Sequence, residues 1–168
     1  RIGMIEVLNA MKNHPHYNAP LEGPNRGRGV SIGFWFNGGG ESSATMNVNS
    51  DGTVSLVEGS PDIGGTRTSI SMHAAEVLGI PVEKVQPSVV DTDSVAFTPG
   101  TGGSRVTFAT GFAAYEAAQD VKRQMIERAA LIWGIDKASI KMDEGVLQSK
   151  TDPKLRMTFA ELAAQLND

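Results

Sequence analysis

A chain of 168 residues, 40% hydrophobic and 20% charged, is long enough to bury a core and has the composition of a soluble globular domain. A net charge of −4 with 15 scattered Lys and Arg residues argues against a nucleic-acid surface, and the absence of cysteine excludes disulfides, thiolate metal ligation and an iron–sulfur cluster held by this chain. No run approaches about 18 consecutive apolar residues, so no membrane span is expected, no export signal is visible, and the expected location is the cytoplasm.

The sequence opens at Arg1 inside what reads as a helix, which suggests a piece of something longer. Over residues 1–13, Ile5, Leu8 and Met11 recur at helical spacing until His14-Pro15 stops the run. Residues 18–28 turn to Pro, Gly and Asn and read as a connector, so the expected division is 1–28 and a single domain over 29–168. Three strands are then expected, at 29–37, 44–49 and 53–58, the last two joined by the turn Ser50-Asp51-Gly52. A helix carrying Ile70, Ala74, Val77 and Leu78 on one face ends at Gly79, and residues 85–90 form a further strand. The longest helix is predicted over 107–133, with Ala114, Ala118, Val121, Met125, Ala129 and Ile132 as its buried stripe and Gly134 as its stop. A hairpin over 138–149 turns at Asp143-Glu144-Gly145, and a helix over 158–166 begins with Thr158 three residues before Glu161, a capping box. The expected fold class is α+β, ordered βββαβαββα after an N-terminal helix, as a mixed sheet with helices packed on one side.

Two segments share one design, a strand followed by a hydroxyl-bearing glycine loop that opens a helix. The first runs Gly59-Ser60-Pro61-Asp62-Ile63-Gly64-Gly65-Thr66-Arg67-Thr68, the second Thr98-Pro99-Gly100-Thr101-Gly102-Gly103-Ser104-Arg105-Val106-Thr107. Such a loop presents unpaired N–H groups at a helix start, where the dipole favours negative charge. Arg67 and Arg105 add planar cationic forks suited to phosphate. Neither loop is a Walker loop or a G-x-G-x-x-G fingerprint, and a glycine turn before a helix is also simply a turn. Three readings therefore stand at this point: part of a cofactor site, a stand-alone phosphate- or nucleotide-binding module, or a structural domain for subunit assembly.

The text GSPDIGGTRTSISMHAAEVLGIPVEKV followed by VVDTDSVAFTPGTGGSRVTFATGFAAYEAAQDV resembles the molybdopterin-binding large subunit of the xanthine dehydrogenase, aldehyde oxidase and carbon monoxide dehydrogenase family. The resemblance runs from about residue 29 to the C-terminus and is most specific over 57–120. It implies that Gly64, Gly65 and Thr66 approach a molybdopterin cofactor from the first loop, and that Thr101, Gly102, Gly103, Ser104, Arg105 and Thr107 hold its pterin and phosphate from the second. It also implies the cytosine dinucleotide form common in bacterial members, whose second phosphate would suit Arg105. Many relatives carry glutamine where Gly64 stands, so that side-chain contact is missing here.

In such enzymes a carbon centre is hydroxylated, or carbon monoxide oxidised, with oxygen from water and electrons leaving through iron–sulfur and FAD subunits or domains. The expected partners are those and the remainder of the large subunit. The Gly-Glu motif of the family's base does not occur, so the chain by itself is expected to be inactive, and Glu41 after Gly38-Gly39-Gly40 reads as a solvated hairpin carboxylate.

Other residues suit packing or local bonding. His14, His16 and His73 are too scattered for zinc. Asp91 and Asp93 suit turn caps, although their spacing would also let both reach one ligand. Trp35 reads as core and Phe36 as facing a neighbouring subunit, and Met4, Met11, Met125 and Met157 read as packing residues.

Overall fold

In the computed structural model, which describes residues 3–91 and 93–166, the chain divides into two units, Arg1–Trp35 and Phe36–Asp168. The first holds helices α1 (Met4–Lys12) and α2 (Pro15–Asn18). The run of α1 ends at Lys12, as expected from His14-Pro15, and the chain turns helical again at Pro15. This proline occupies the first position of α2, where the missing N–H costs nothing, and the His14 ring accepts the His16 N–H as a cap. Neither helix buries a residue completely: Ile5 and Met4 are exposed, against their expected packing, while Leu8 and Met11 are half-buried. Arg28 ties the unit together by donating to the carbonyls of Tyr17 and Ala19.

The strand expected at 29–37 is absent, and Trp35, expected in the core, is 71% exposed. An apolar run becomes a strand only when a neighbouring strand takes its backbone hydrogen bonds, and this one forms no ladder. The remaining elements all belong to the second unit.

Strands β1 (Ala44–Val48) and β2 (Val54–Glu58) form the antiparallel hairpin read from the turn, with Val48 opposite Val54. The Asp51 carboxylate accepts from the Thr53 amide and hydroxyl, and Gly52 takes a positive φ of 78°. Strand β3 (Val85–Val89) adds parallel to β2, reached through helix α3 (Thr66–Leu78). β3 is an edge strand, so Pro87 removes no needed ladder donor. Alternation puts Val54, Leu56 and Glu58 on the buried face of the central strand.

Helix α4 (Gly111–Trp133) packs along α3 and across β1, and both helices join the cluster built on Val54, Leu56, Ile70, Leu78, Ala114, Ala118 and Met125. Each fully buried aliphatic of this kind contributes about 2 kcal/mol. The predicted stripe holds except at Ile132, 38% exposed, because the buried face has shifted to Ala129 and Ala130 by the last turn. Below α4 lie β4 (Ile140–Asp143), β5 (Val146–Ser149), β6 (Arg156–Thr158) and α5 (Phe159–Ala163), whose capping box forms as read.

The class is α+β, with two corrections to the detail. The strands form two three-stranded sheets, β1-β2-β3 and β4-β5-β6, instead of one, and β6 pairs with β5 where no strand was expected. Loss of the first strand and gain of β6 change the order to ββαβαβββα after the N-terminal helices.

Candidate functional site

Both glycine loops end in two consecutive left-handed residues before helical backbone begins. In the first these are Gly64 (φ 63°) and Gly65 (φ 81°), and α3 starts at Thr66. In the second they are Gly103 (φ 60°) and Ser104 (φ 53°), followed by a π-helical turn over Val106–Thr110 that runs into α4. Left-handed backbone at Ser104 costs about 1–2 kcal/mol for a residue with a Cβ, so the surrounding structure has to enforce it. Neither helix start has a side-chain cap from its N-cap residue.

The first loop closes on itself. The Asp62 carboxylate accepts the Arg67 amide at 3.1 Å and lies 3.8 Å from the Arg67 guanidinium, while Thr66 Oγ1 accepts the Ile63 amide. The negative charge favoured at the start of α3 is thus supplied by the loop's own side chain. Gly64 and Gly65 are exposed, and Thr66 is half-buried.

The second loop is held from outside. Residues 37–42, read as a hairpin tip, lie along it: the Gly38 amide donates to the Gly103 carbonyl at 2.5 Å, and Asn37 Nδ2 to the Ser104 carbonyl at 2.8 Å. Arg105 is 5% exposed. Its Nε donates to the Gly39 carbonyl at 2.7 Å and Nη1 to Pro99 at 3.1 Å, while Nη2 donates to the Glu41 carbonyl and to Ser42 Oγ. Four of five guanidinium N–H groups are therefore bonded to protein, all to neutral acceptors. The fork expected to face a phosphate is turned inward, and its charge lies beneath the loop. Above it Thr101, Gly102, Ser104 and Thr107 are exposed and Gly103 is half-buried.

The stems of the loops touch. A Cβ on Gly59 would meet Val95 at 3.2 Å and Thr98 Oγ1 at 3.5 Å, and Ser60 Oγ bonds Thr110 Oγ1 at 2.7 Å. Thr110 in turn bonds Ser42 Oγ at 2.8 Å. At the floor Glu58, 1% exposed, accepts the Ser60 amide at 2.5 Å. Burial pushes its carboxyl above the ordinary value, against the opposing pull of the Ser60 amide and hydroxyl and the Arg67 charge. Glu58, Ser60, Thr98 and Thr110 are buried polar residues not singled out among the expected contacts. Alternation along β2 already put Glu58 inward.

The structure gives the remaining candidates local roles. Asp91 accepts from the amides of Asp93 and Ser94, which makes it a turn cap. The His73 ring packs against Gly111, where a Cβ would come within 2.7 Å of it. No cluster of three metal-ligating side chains occurs among the described residues.

The spacing of the glycines fits a ligand that approaches the loops closely. Gly100 and Gly102 have no positive φ, and a Cβ on either would meet nothing within 4 Å. Nothing among the described residues requires glycine at these two positions, and a Cβ there would project into open space. With the exposed amides and hydroxyls around them, they suit a polar, anionic group carrying many acceptors.

The profile of molybdopterin cofactor-binding domains matches residues 8–168. The nicotine 6-hydroxylase large subunit of Paenarthrobacter nicotinovorans is 25% identical over 95% of the chain and 22% of its own length. A probable hypoxanthine oxidase of Escherichia coli (strain K12) is 31% identical over 82% of the chain and 14% of its own length. The structure of reconstituted CO dehydrogenase from Oligotropha carboxidovorans superimposes with a TM-score of 0.68 at 28% identity, over 74% of this chain and 16% of that one. The chain thus spans less than a quarter of the length of the curated relatives named. With two glycine loops joined at their stems and a profile match over nearly the whole chain, this protein belongs to the molybdopterin cofactor-binding domain family.

Proposed function

We propose that residues 29–168 contribute the pterin- and phosphate-facing wall of a molybdenum-dependent oxidoreductase of the hydroxylase or carbon monoxide dehydrogenase type. In this reading Gly64, Gly65 and Thr66 line one side, and Thr101, Gly102, Gly103, Ser104 and Thr107 the other. Arg105 acts from below. Its buried charge has only neutral bonding partners, so a positive potential remains under the second loop and favours an anion above it. A pyrophosphate, as in the cytosine dinucleotide form, would then be gripped by loop amides and hydroxyls, not by the guanidinium itself. When bound, such a cofactor supplies two-electron redox chemistry at its metal. The residues of this chain bind and orient it.

With no cysteine, this chain cannot supply the thiolate ligands that ordinarily hold an iron–sulfur cluster. In this reading electrons leave through iron–sulfur and FAD partners outside this chain, with the rest of a large subunit completing the site in the cytoplasm. The open side of Gly64 bears on the family's glutamine. A Cβ there meets nothing within 4 Å, so the absent side chain leaves space beside the loop.

The observation that carries this reading is the open space at Gly100 and Gly102. Gly102→Val tests it, because the substitution puts a side chain into that space, where its Cβ meets nothing within 4 Å among the described residues. In the full-length subunit it should lower bound molybdenum and pterin at least fivefold while the melting temperature stays within about 2 °C. Wild-type molybdenum content in the purified variant would overturn the assignment.

A further inference from the structure

Beneath the loops runs a continuous line of polar side chains. Arg105 Nη2 donates to Ser42 Oγ at 2.9 Å, Ser42 Oγ bonds Thr110 Oγ1 at 2.8 Å, and Thr110 Oγ1 bonds Ser60 Oγ at 2.7 Å. The Ser60 amide then donates to Glu58 Oε2 at 2.5 Å. The line joins the second loop, the segment that braces it, the first turn leading into α4, the stem of the first loop and the last residue of β2. Arg105, Thr110, Ser60 and Glu58 are all buried.

Such a line is expensive to bury. Each hydroxyl and carboxyl loses water and regains at best an equivalent bond, and apolar residues of the same volume would stabilise the fold as well or better. Val54 and Leu56 show what the inward face of β2 otherwise carries. A carboxyl at the third inward position has a use only where an amide needs a fixed acceptor, and Ser60 begins the first glycine loop. The hydroxyl of the same serine continues the line to Thr110. Fully bonded polar networks hold groups in one arrangement more tightly than apolar contacts, which slide.

We propose that Glu58 is a positioning residue of the cofactor cradle, which acts through Ser60, Thr110 and Ser42 on Arg105 and so holds the two glycine loops at one relative geometry. The inference rests on the cofactor reading above for its purpose, but the coupling between the loops stands apart from it. Thr110 is the central link. Its replacement by valine keeps the shape and removes the bond to either side.

The test uses the full-length subunit as Glu58→Ala, Glu58→Gln, Thr110→Val and Thr110→Ser, with amide hydrogen exchange of the second loop and bound molybdenum measured for each. Glu58→Ala and Thr110→Val should speed exchange over residues 100–104 about tenfold and lower molybdenum content about fivefold. Glu58→Gln keeps an acceptor for Ser60, and Thr110→Ser keeps the hydroxyl, so both should return to within twofold of wild type on each measure. Should Glu58→Ala fail to fold, the Thr110 pair gives the same reading. Unchanged exchange over 100–104 in Thr110→Val overturns the coupling. Faster exchange with wild-type molybdenum overturns the positioning role, while Gly102→Val still tests the cofactor reading separately.

Discussion

The two glycine loops have nearly the same backbone and opposite means of support. Each places two left-handed residues before a helix, yet the first is stabilised by Asp62 and Thr66 within five positions of their partners. The second is held by Arg105 and by bonds to residues 63 to 67 positions away in sequence. A locally closed loop can form with its helix, because closing a short loop costs little entropy. A loop braced from a distance takes its shape only when the rest of the unit has folded. The difference separates a loop whose turn is closed by its own side chains from one whose shape depends on distant residues.

The largest break in this contrast is expected at Arg105. Arg105→Ala removes four hydrogen bonds from a buried site and leaves the carbonyls of Gly39, Pro99 and Glu41 without that donor. The cost should be about 3–5 kcal/mol, read as a fall in the urea midpoint. Arg105→Lys should recover little, since a single ammonium cannot reach acceptors spread around a planar fork. A loss below about 1 kcal/mol for Arg105→Ala would mean that the brace does not hold the loop.

Gly64 and Gly103 sharpen the comparison, for they share a φ near 60° and differ in surroundings. A Cβ on Gly64 meets open space, whereas one on Gly103 comes 3.0 Å from Gly38 Cα and 3.1 Å from its nitrogen. Gly64→Ala should therefore cost about 1 kcal/mol, from left-handed backbone alone. Gly103→Ala should cost about 2–3 kcal/mol, since it also forces the bracing segment away. Equal losses in equilibrium unfolding would remove the distinction between a free and a braced loop. Asp62→Ala comes next at about 1 kcal/mol, the usual worth of a carboxylate serving a helix start. It should leave exchange over residues 100–104 unchanged, because its bonds stay within the first loop.

What could be read from the residues follows the same division. The β1–β2 turn, the helix stop at Gly79 and the Thr158–Glu161 capping box are local chemistry, and each is where its sequence pattern puts it. The pair of glycine loops was equally legible, since their residues are contiguous. The role of residues 37–42 was not, because Gly38-Gly39-Gly40 reads as a turn until Gly103 is known to lie against it. The surroundings of Arg105 were hidden for a related reason. A surface loop and a cationic fork together suggest a bound anion, and only the fold reveals carbonyls converging on the guanidinium. The apolar run at 29–37 misled in the opposite sense, having strand composition and no partner strand. Glu58 lies between these cases. The alternation of Val54, Leu56 and Glu58 points it inward, and its charge would ordinarily argue for the surface.

That conflict at Glu58 yields the smallest effect and the most selective one. Its carboxyl is held above the ordinary value of 4.5, with burial as the largest cause. The folded state therefore binds the proton more tightly than the unfolded chain does. The sign follows directly: the stability contributed by Glu58 is full below pH 4.5 and declines as pH rises through the raised value. Asp51, Asp120, Glu127 and Glu161 are shifted the other way by hydrogen bonds and lose their contribution as pH falls, so the total curve hides the Glu58 term. Subtraction isolates it. Glu58→Gln keeps the acceptor for Ser60 and cannot ionise, so wild type minus variant should fall in urea unfolding as pH rises above 4.5. A flat difference would mean that the carboxyl ionises as freely inside the fold as outside it, and the floor under the two loops would then be wetter than its burial implies.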